Sequence, residues 1–311
     1  MEGTVFRSTG SWYDVRTADG TAYPCRAKGK LRLKGDRSTN PVSIGDRVDF
    51  ALEEDGTGVV SRIHERQNRI VRRAVNLARE SHVVAANVDR AFLVVTVTRP
   101  ATSSGFIDRF LVSAHAFGVP VTLVFNKVDL VAPDSAEAER LAELEAIYGQ
   151  AGYATLRTSA ATGEGVEVLA QNLAQGNNLF SGHSGVGKST LINRLVPGLD
   201  LRTSEVSDAH NKGKHTTTFA EMFPVPGSAG FIMDTPGIKG FGLVHLERET
   251  LHHHFPELFE RLPECRFHNC LHRSEPGCAV RAAVEAGEVA EERYVNYLEL
   301  YEQWEDGSGY R

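Results

Sequence analysis

Gly182-His183-Ser184-Gly185-Val186-Gly187-Lys188-Ser189-Thr190 is the stretch whose reading decides the fold of this 311-residue chain. It fits the phosphate-binding template G-x-x-x-x-G-K-[ST]: the glycines let backbone close on phosphates, and the N–H groups opening a helix bind anions. The context is the one the motif requires. Residues 175–181 can supply a short buried strand, and Leu191, Ile192 and Leu195 follow the loop at helical spacing. Lys188 is expected to reach the β- and γ-phosphates as a point charge and the Ser189 hydroxyl to ligate Mg2+. The chain is therefore read as binding a nucleoside triphosphate.

Length suggests two or three domains, and 41% hydrophobic residues suffice for a sizeable core. No apolar run approaches the roughly 18–20 residues of a membrane span. The opening Met-Glu-Gly-Thr-Val-Phe-Arg does not read as a signal peptide, so a cytoplasmic protein without a membrane partner is expected. The net charge of −6 hides an asymmetry: residues 1–73 carry 14 Lys/Arg against 10 Asp/Glu, the remainder 20 against 30. A basic segment joined to an acidic one points to a polyanion met by the first.

Residues 1–70 read as all-β, with strands expected at 3–8, 12–17, 22–27, 30–33, 47–52 and 58–63. Turn pairs such as Asp19-Gly20, Gly45-Asp46 and Asp55-Gly56 separate several of them. So many short strands favour a small closed barrel of the OB type. Lys28, Lys30, Arg32 and Lys34 alternate with Gly29, Leu31 and Leu33, which in an extended strand puts all four cations on one face. Such a face suits a phosphate backbone, or is simply solvated. The aromatics Phe6, Trp12, Tyr13 and Tyr23 are candidates to stack bases, with most of them expected in the core, and Cys25 is read as a buried small residue or an inert thiol.

From about residue 85 the pattern alternates. Strands are expected at 91–98, 119–125, 153–157, 217–223 and 231–234, with helices at 105–117, 137–148 and 166–173. The result is a doubly wound α/β domain, whose ligands sit at strand ends. Three further motifs fall there. Asn126-Lys127-Val128-Asp129 places a carboxylate that accepts two hydrogen bonds from guanine and none of that pattern from adenine, with Asn126 bracing the loop and the Lys127 stem covering a base face. Thr158-Ser159-Ala160 offers a backbone N–H to the guanine O6. Asp234-Thr235-Pro236-Gly237 supplies a carboxylate for Mg2+ through water and a Gly237 N–H for the γ-phosphate. In ordinary GTPases the phosphate loop precedes N-K-x-D; here it follows, so the order is circularly permuted. Asp234–Gly237 then leads straight into the C-terminal segment.

Lys212-Gly213-Lys214-His215-Thr216-Thr217-Thr218 lies between the phosphate loop and D-T-P-G, as a first switch would, and Thr217 is its candidate Mg2+ ligand. Where many GTPases carry a water-orienting glutamine after D-x-x-G, this chain has Ile238, which cannot orient water. His215 is the candidate replacement, a hydrated loop histidine being the alternative. Near the C-terminus, Cys265, Cys270, His272 and Cys278 have the spacing C-x4-C-x-H-x5-C. Three thiolates and one imidazole fill a tetrahedral zinc shell and leave no place for water, so a structural site is expected; His268 is a competing ligand. His252, His253 and His254 are read as part of a solvated helix, and residues 306–311 as frayed.

These motifs, in this order, resemble the ribosome small-subunit-dependent GTPase A family over nearly the whole chain. The resemblance implies an OB-fold barrel over residues 1–73, a circularly permuted P-loop GTPase over 74–242 and a mainly helical zinc domain over 243–311. It also implies GTP hydrolysis in late maturation of the 30S ribosomal subunit, with contacts to 16S rRNA and stimulation by the subunit. DNA is not an expected partner, and the monomer is the default. The family places its proposed catalytic histidine where His215 stands and its zinc ligands on Cys265, Cys270, His272 and Cys278. Lys214 stands where arginine is frequent in the family, which keeps charge and loses bidentate geometry. The alternative reading is a GTP-dependent RNA-binding switch in which hydrolysis is incidental.

Overall fold

The computed structural model describes residues 1–29, 31, 40–73, 81–201, 219–235 and 246–305. Lys30, Arg32, Lys34, residues 212–218 with His215 and Thr217, Gly237, Ile238 and residues 306–311 lie outside them.

The N-terminal strands are β1 (Glu2–Ser8), β2 (Tyr13–Arg16), β3 (Ala22–Ala27), β4 (Arg47–Leu52) and β5 (Gly58–Ile63). They are hydrogen-bonded in the order β1-β2-β3-β5-β4, and β4 pairs back onto β1, which closes a five-stranded barrel. Alternation explains the filling: Val5, Val15, Cys25, Val48, Phe50 and Val60 face inward and are buried together with Tyr13 and Ile63. Trp12, expected to open the strand over 12–17, precedes β2 and is 46% exposed.

A hairpin of β6 (Arg69–Arg73) and β7 (Ser81–Ala86) follows, which the sequence reading missed. It straddles the expected junction at residue 73. It is pinned at its base, where the Asn68 side chain donates to Val88 O and accepts from Val88 N, both at 2.8 Å. Gly45 of the barrel passes so close to it that an added Cβ would lie 2.1 Å from Ala86 O, and its φ of +82° favours glycine independently.

The α/β region contributes β8 (Arg90–Val95), α1 (Ser104–Ala116), β9 (Val121–Phe125), α2 (Ala136–Gln150), β10 (Ala154–Arg157), α3 (Val166–Asn172), β11 (Asn177–Ser181), α4 (Lys188–Leu195), β12 (Ala220–Pro224) and β13 (Phe231–Asp234). Strands β10-β9-β8-β11-β13 run parallel in that order, with β12 antiparallel at the end. The β8 run is buried on both faces: Ala91, Leu93 and Val95 join one core, Phe92 and Val94 the other. β12 pairs with β1 through Arg7 opposite Glu221 and Ser8 opposite Ala220, so barrel and α/β sheet form one eleven-stranded sheet. Chain order reverses between β8 and β11, which sets the ligand crevice beyond their carboxyl ends.

The C-terminal segment carries a 3-10 turn (Arg248–His254), α5 (Pro256–Phe259), α6 (Ala279–Glu285) and α7 (Glu291–Glu305). Its core of Leu251, Phe255, Leu258, Tyr297 and Tyr301 takes in Val112 from α1. The histidine triplet is a correction: it belongs to the 3-10 turn, and His252 is buried to 3% exposure. The turn lies between the metal-ligand loop and α1, where a packed ring excludes water. No helix among the described residues is long and apolar enough to cross a membrane.

Candidate active site and metal centre

The phosphate loop leaves the end of β11 and enters α4 at Gly187, whose φ is +88°. A Cβ there would lie 2.5 Å from Asn126 Nδ2. That closeness has a use. Asn126 Nδ2 donates to Val186 O at 2.8 Å, while its Oδ1 accepts from the Thr158 hydroxyl at 3.1 Å and the Ala160 N–H at 3.3 Å. One buried amide thus ties the phosphate loop to both segments that carry the guanine motifs. Among the described residues, the N–H groups of residues 184–187 have no hydrogen-bond acceptor, as a loop that receives phosphate oxygens requires. Truncating Asn126 to Ala leaves Val186 O without its donor and loosens both loops. GTP affinity is expected to fall about tenfold, for roughly 1.4 kcal/mol of lost hydrogen bonding. An unchanged dissociation constant by equilibrium titration would refute the bracing role.

Lys188 begins α4 and is buried, and its Nζ donates to Asp234 Oδ1 and, at 2.9 Å, to Thr235 O. The ammonium and the carboxylate at the end of β13 therefore meet at one buried point. Ser189 is half-buried on the next helical position and Thr190 exposed. The oxygen donors Ser189 and Asp234, on adjacent elements, suit a hard cation such as Mg2+.

At the base-recognition end, Lys127 takes a left-handed conformation after β9 (φ +63°), and its Nζ donates to Arg99 O and Gly185 O, each at 2.6 Å. Burial pulls its amine below the ordinary lysine range, with Asp129 opposing. The Asp129 carboxylate accepts from the Ser159 hydroxyl at 2.5 Å. Ser159 N–H donates to Glu164 O at 2.9 Å. The structure thus brings together Asn126, Lys127, Asp129, Ser159 and Ala160 with the phosphate loop from Gly182 to Thr190. Sequence reasoning missed Thr102, whose hydroxyl lies 2.7 Å from His183 Nε2 and accepts from Thr96 N–H at 3.1 Å, anchoring the loop to the segment before α1.

In the C-terminal segment, donor atoms of Cys265, Cys270, His272 and Cys278 all lie within 4.8 Å of one another. His272 Nδ1 is 3.7 Å from Cys265 Sγ and 3.4 Å from Cys278 Sγ. Tetrahedral zinc bonds of ordinary length put sulfur and nitrogen about 3.5 Å apart, so the set fits that cation. Burial pushes the Cys270 thiol up to about 12, so a cation is what would stabilise thiolate there. Two supports had no sequence signature. The Glu275 carboxylate accepts from the N–H groups of Leu271 (2.9 Å), Arg273 (2.8 Å) and Ser274 (3.0 Å), and Tyr294 and Tyr297 hydroxyls donate to His272 O and Leu271 O, each at 2.6 Å. His268 is not part of the cluster.

The RsgA GTPase family model matches residues 63–244, and the RsgA N-terminal domain model matches residues 2–60. A protein of Bacteroides fragilis named small ribosomal subunit biogenesis GTPase RsgA is 55% identical, over 99% of this chain and 98% of its own length. One of that name from Christiangramia forsetii is 50% identical, over 98% and 97%. Among solved structures, YjeQ from Thermotoga maritima superposes with a TM-score of 0.76 at 35% identity, covering 97% of both chains. YloQ, described as a circularly permuted GTPase, gives 0.72 at 26% identity, covering 98% of this chain and 95% of its own. With the barrel closed, the nucleotide motifs set on one parallel sheet, the family model matched over more than half of the chain and relatives of that name aligned over nearly all of it, this chain belongs to the RsgA GTPase family and is a GTP-hydrolysing enzyme.

Proposed function

We propose that this GTPase acts in the maturation of the 30S ribosomal subunit in the cytoplasm, with hydrolysis timing its release from an RNA-rich surface. The observation that carries the reading is the fusion of the closed barrel to the GTPase sheet through β1 and β12. A module suited to a polyanion is thereby mechanically continuous with the nucleotide site. The named relatives supply the partner class, and the basic N-terminal segment suits 16S rRNA.

In this reading Asp129 selects guanine, Asn126 and Lys127 hold the loop against the base, and Ser159 and Ala160 flank the O6. Residues 182–190 cradle the phosphates, with Lys188 on the β- and γ-phosphates. Ser189, Asp234 through water and Thr217 would hold Mg2+, which supplies charge neutralisation on the phosphate oxygens. Gly237 would meet the γ-phosphate, and His215 would orient the attacking water, since Ile238 cannot. Cys265, Cys270, His272 and Cys278 would hold one structural zinc ion. The organisation 1–73, 74–242 and 243–311 follows the same assignment, as a monomer.

The test is GTP turnover with increasing amounts of purified small ribosomal subunits. Saturable stimulation of at least tenfold is expected, and large subunits should give none. Tight GTP binding with a rate indifferent to the small subunit would overturn the proposal and leave a switch with another partner.

A further inference from the structure

Where the sheet passes from the barrel into the α/β region, one register row is made of charges. Asp14 of β2 pairs with Arg7 of β1, Arg7 with Glu221 of β12, and Glu221 with Asp234 of β13. All three pairings are antiparallel, and residues directly opposite in such a pair project from one face. For β12 and β13 that face lies under α4: Phe223 and Ile232, two positions away on each strand, enter the same core as Leu191 and Ile192. Lys188 opens α4 there, and its Nζ donates to Asp234. Glu221 and Asp234 are thus like charges set opposite each other, an unfavourable pairing unless cations flank it. Lys188 flanks the Asp234 side. On the Glu221 side stands Arg7, whose Nε lies 3.8 Å from Glu221 Oε2 and whose guanidinium lies 5.6 Å from the Phe219 ring centroid. Burial pushes the Glu221 carboxyl above its ordinary range; Arg7 and Arg16 oppose this, and Asp14 and Asp234 add to it.

We infer that Glu221 is a positioning residue of the nucleotide site, acting through Asp234: its carboxylate, balanced from the barrel by Arg7, strengthens the hold of this sheet edge on a divalent cation beside the phosphate loop. The inference rests on reading Asp234 as the carboxylate that meets Mg2+. When the Lys188 ammonium turns to phosphate oxygens, Asp234 gives up that cation and still faces Glu221 across the strand pair. Two neighbouring carboxylates attract a divalent cation more strongly than one does, and repel a metal-free triphosphate more strongly. Arg7 works in the opposite sense, because it neutralises part of the Glu221 charge. The barrel therefore reaches the nucleotide site through charge as well as through the β1–β12 hydrogen bonds.

The experiment measures binding of a fluorescent, non-hydrolysable GTP analogue to the full chain, first in a chelator and then along a Mg2+ titration, at about pH 8, where carboxylates are ionised. Glu221→Gln keeps the shape and removes the charge. It is expected to raise the half-saturating Mg2+ concentration about three- to tenfold and to tighten metal-free binding of the analogue about twofold. Arg7→Met should move both constants the other way, and Arg7→Lys, which keeps the charge, should leave both near the parent values. A loosened seam cannot produce this pattern, since it would weaken binding with and without the metal in either variant. Losses of that kind in Glu221→Gln, or a Mg2+ requirement equal to the parent's, would overturn the inference. Should the Gln variant not fold, Arg7→Met decides alone: a lower Mg2+ requirement supports the assignment, and a higher or unchanged one overturns it. A parent chain whose analogue binding is indifferent to Mg2+ would instead overturn the placement of the cation on Asp234, and this inference with it.

Discussion

Lys188→Ala is expected to lower GTP turnover by about a hundred- to a thousandfold, the loss typical of removing one fixed donor from a water-excluded site. The Lys188 side chain is buried at the start of α4, and its ammonium is held by Asp234 and Thr235 O at the end of β13. When phosphate arrives the ammonium exchanges these partners for phosphate oxygens on which charge develops, so its removal should be felt in the chemical step as well as in binding. The same substitution takes the cation from a fully buried carboxylate, and removing one member of a buried pair destabilises by about 3–5 kcal/mol. The two effects are separable. Adding Asp234→Asn to Lys188→Ala should recover much of the thermal stability and none of the turnover. Single-turnover hydrolysis beside thermal unfolding of both variants checks this; turnover within threefold of the parent in Lys188→Ala would refute the assigned role.

Arg293→Met is expected to have the largest effect on stability. Arg293 on α7 lies fully buried; its Nη1 donates to Asp108 of α1 at 2.6 Å, and its Nε and Nη2 donate to Glu257 of α5 at 2.7 and 3.1 Å. Asn296 Nδ2 completes the Asp108 carboxylate at 2.6 Å, and the guanidinium lies 4.7 Å from the Phe255 ring centroid. Burial works against the charge of Arg293, but Asp108 and Glu257 more than offset it and hold the guanidinium protonated well above its ordinary range. Methionine keeps most of the volume and strands two carboxylates, so a loss of about 3–5 kcal/mol is expected. For a chain of this size that is a fall in the melting temperature on the order of 10 °C. Because the pair joins α1 to α7, the C-terminal segment should become the first to be cut by protease. An unfolding free energy within 1 kcal/mol of the parent would show that apolar packing alone docks the segment.

The candidate site of this protein is legible in the sequence wherever it depends on residues adjacent in the chain. A phosphate loop is made of backbone N–H groups, glycines and one lysine within nine residues, so Gly182 to Thr190 declares itself without any partner. N-K-V-D, T-S-A, D-T-P-G and the cysteine–histidine spacing are local in the same sense, and their order along the chain shows the permutation directly. The strands at 47–52, 58–63 and 231–234 were likewise legible to the residue, because alternation and flanking turns are set by near neighbours. Tertiary structure alone decided what joins these pieces. Asp108 and Arg293 are 185 positions apart, and nothing in either neighbourhood marks them as a pair. The β6–β7 hairpin is short and rich in arginine, and it is a strand pair only because the barrel and Val88 hold it. The β1–β12 seam rests on two residue pairs whose members lie more than 200 positions apart in the chain. His252 looked like a hydrated histidine and became a buried one, because burial is a property of what packs against a residue and not of the residue itself.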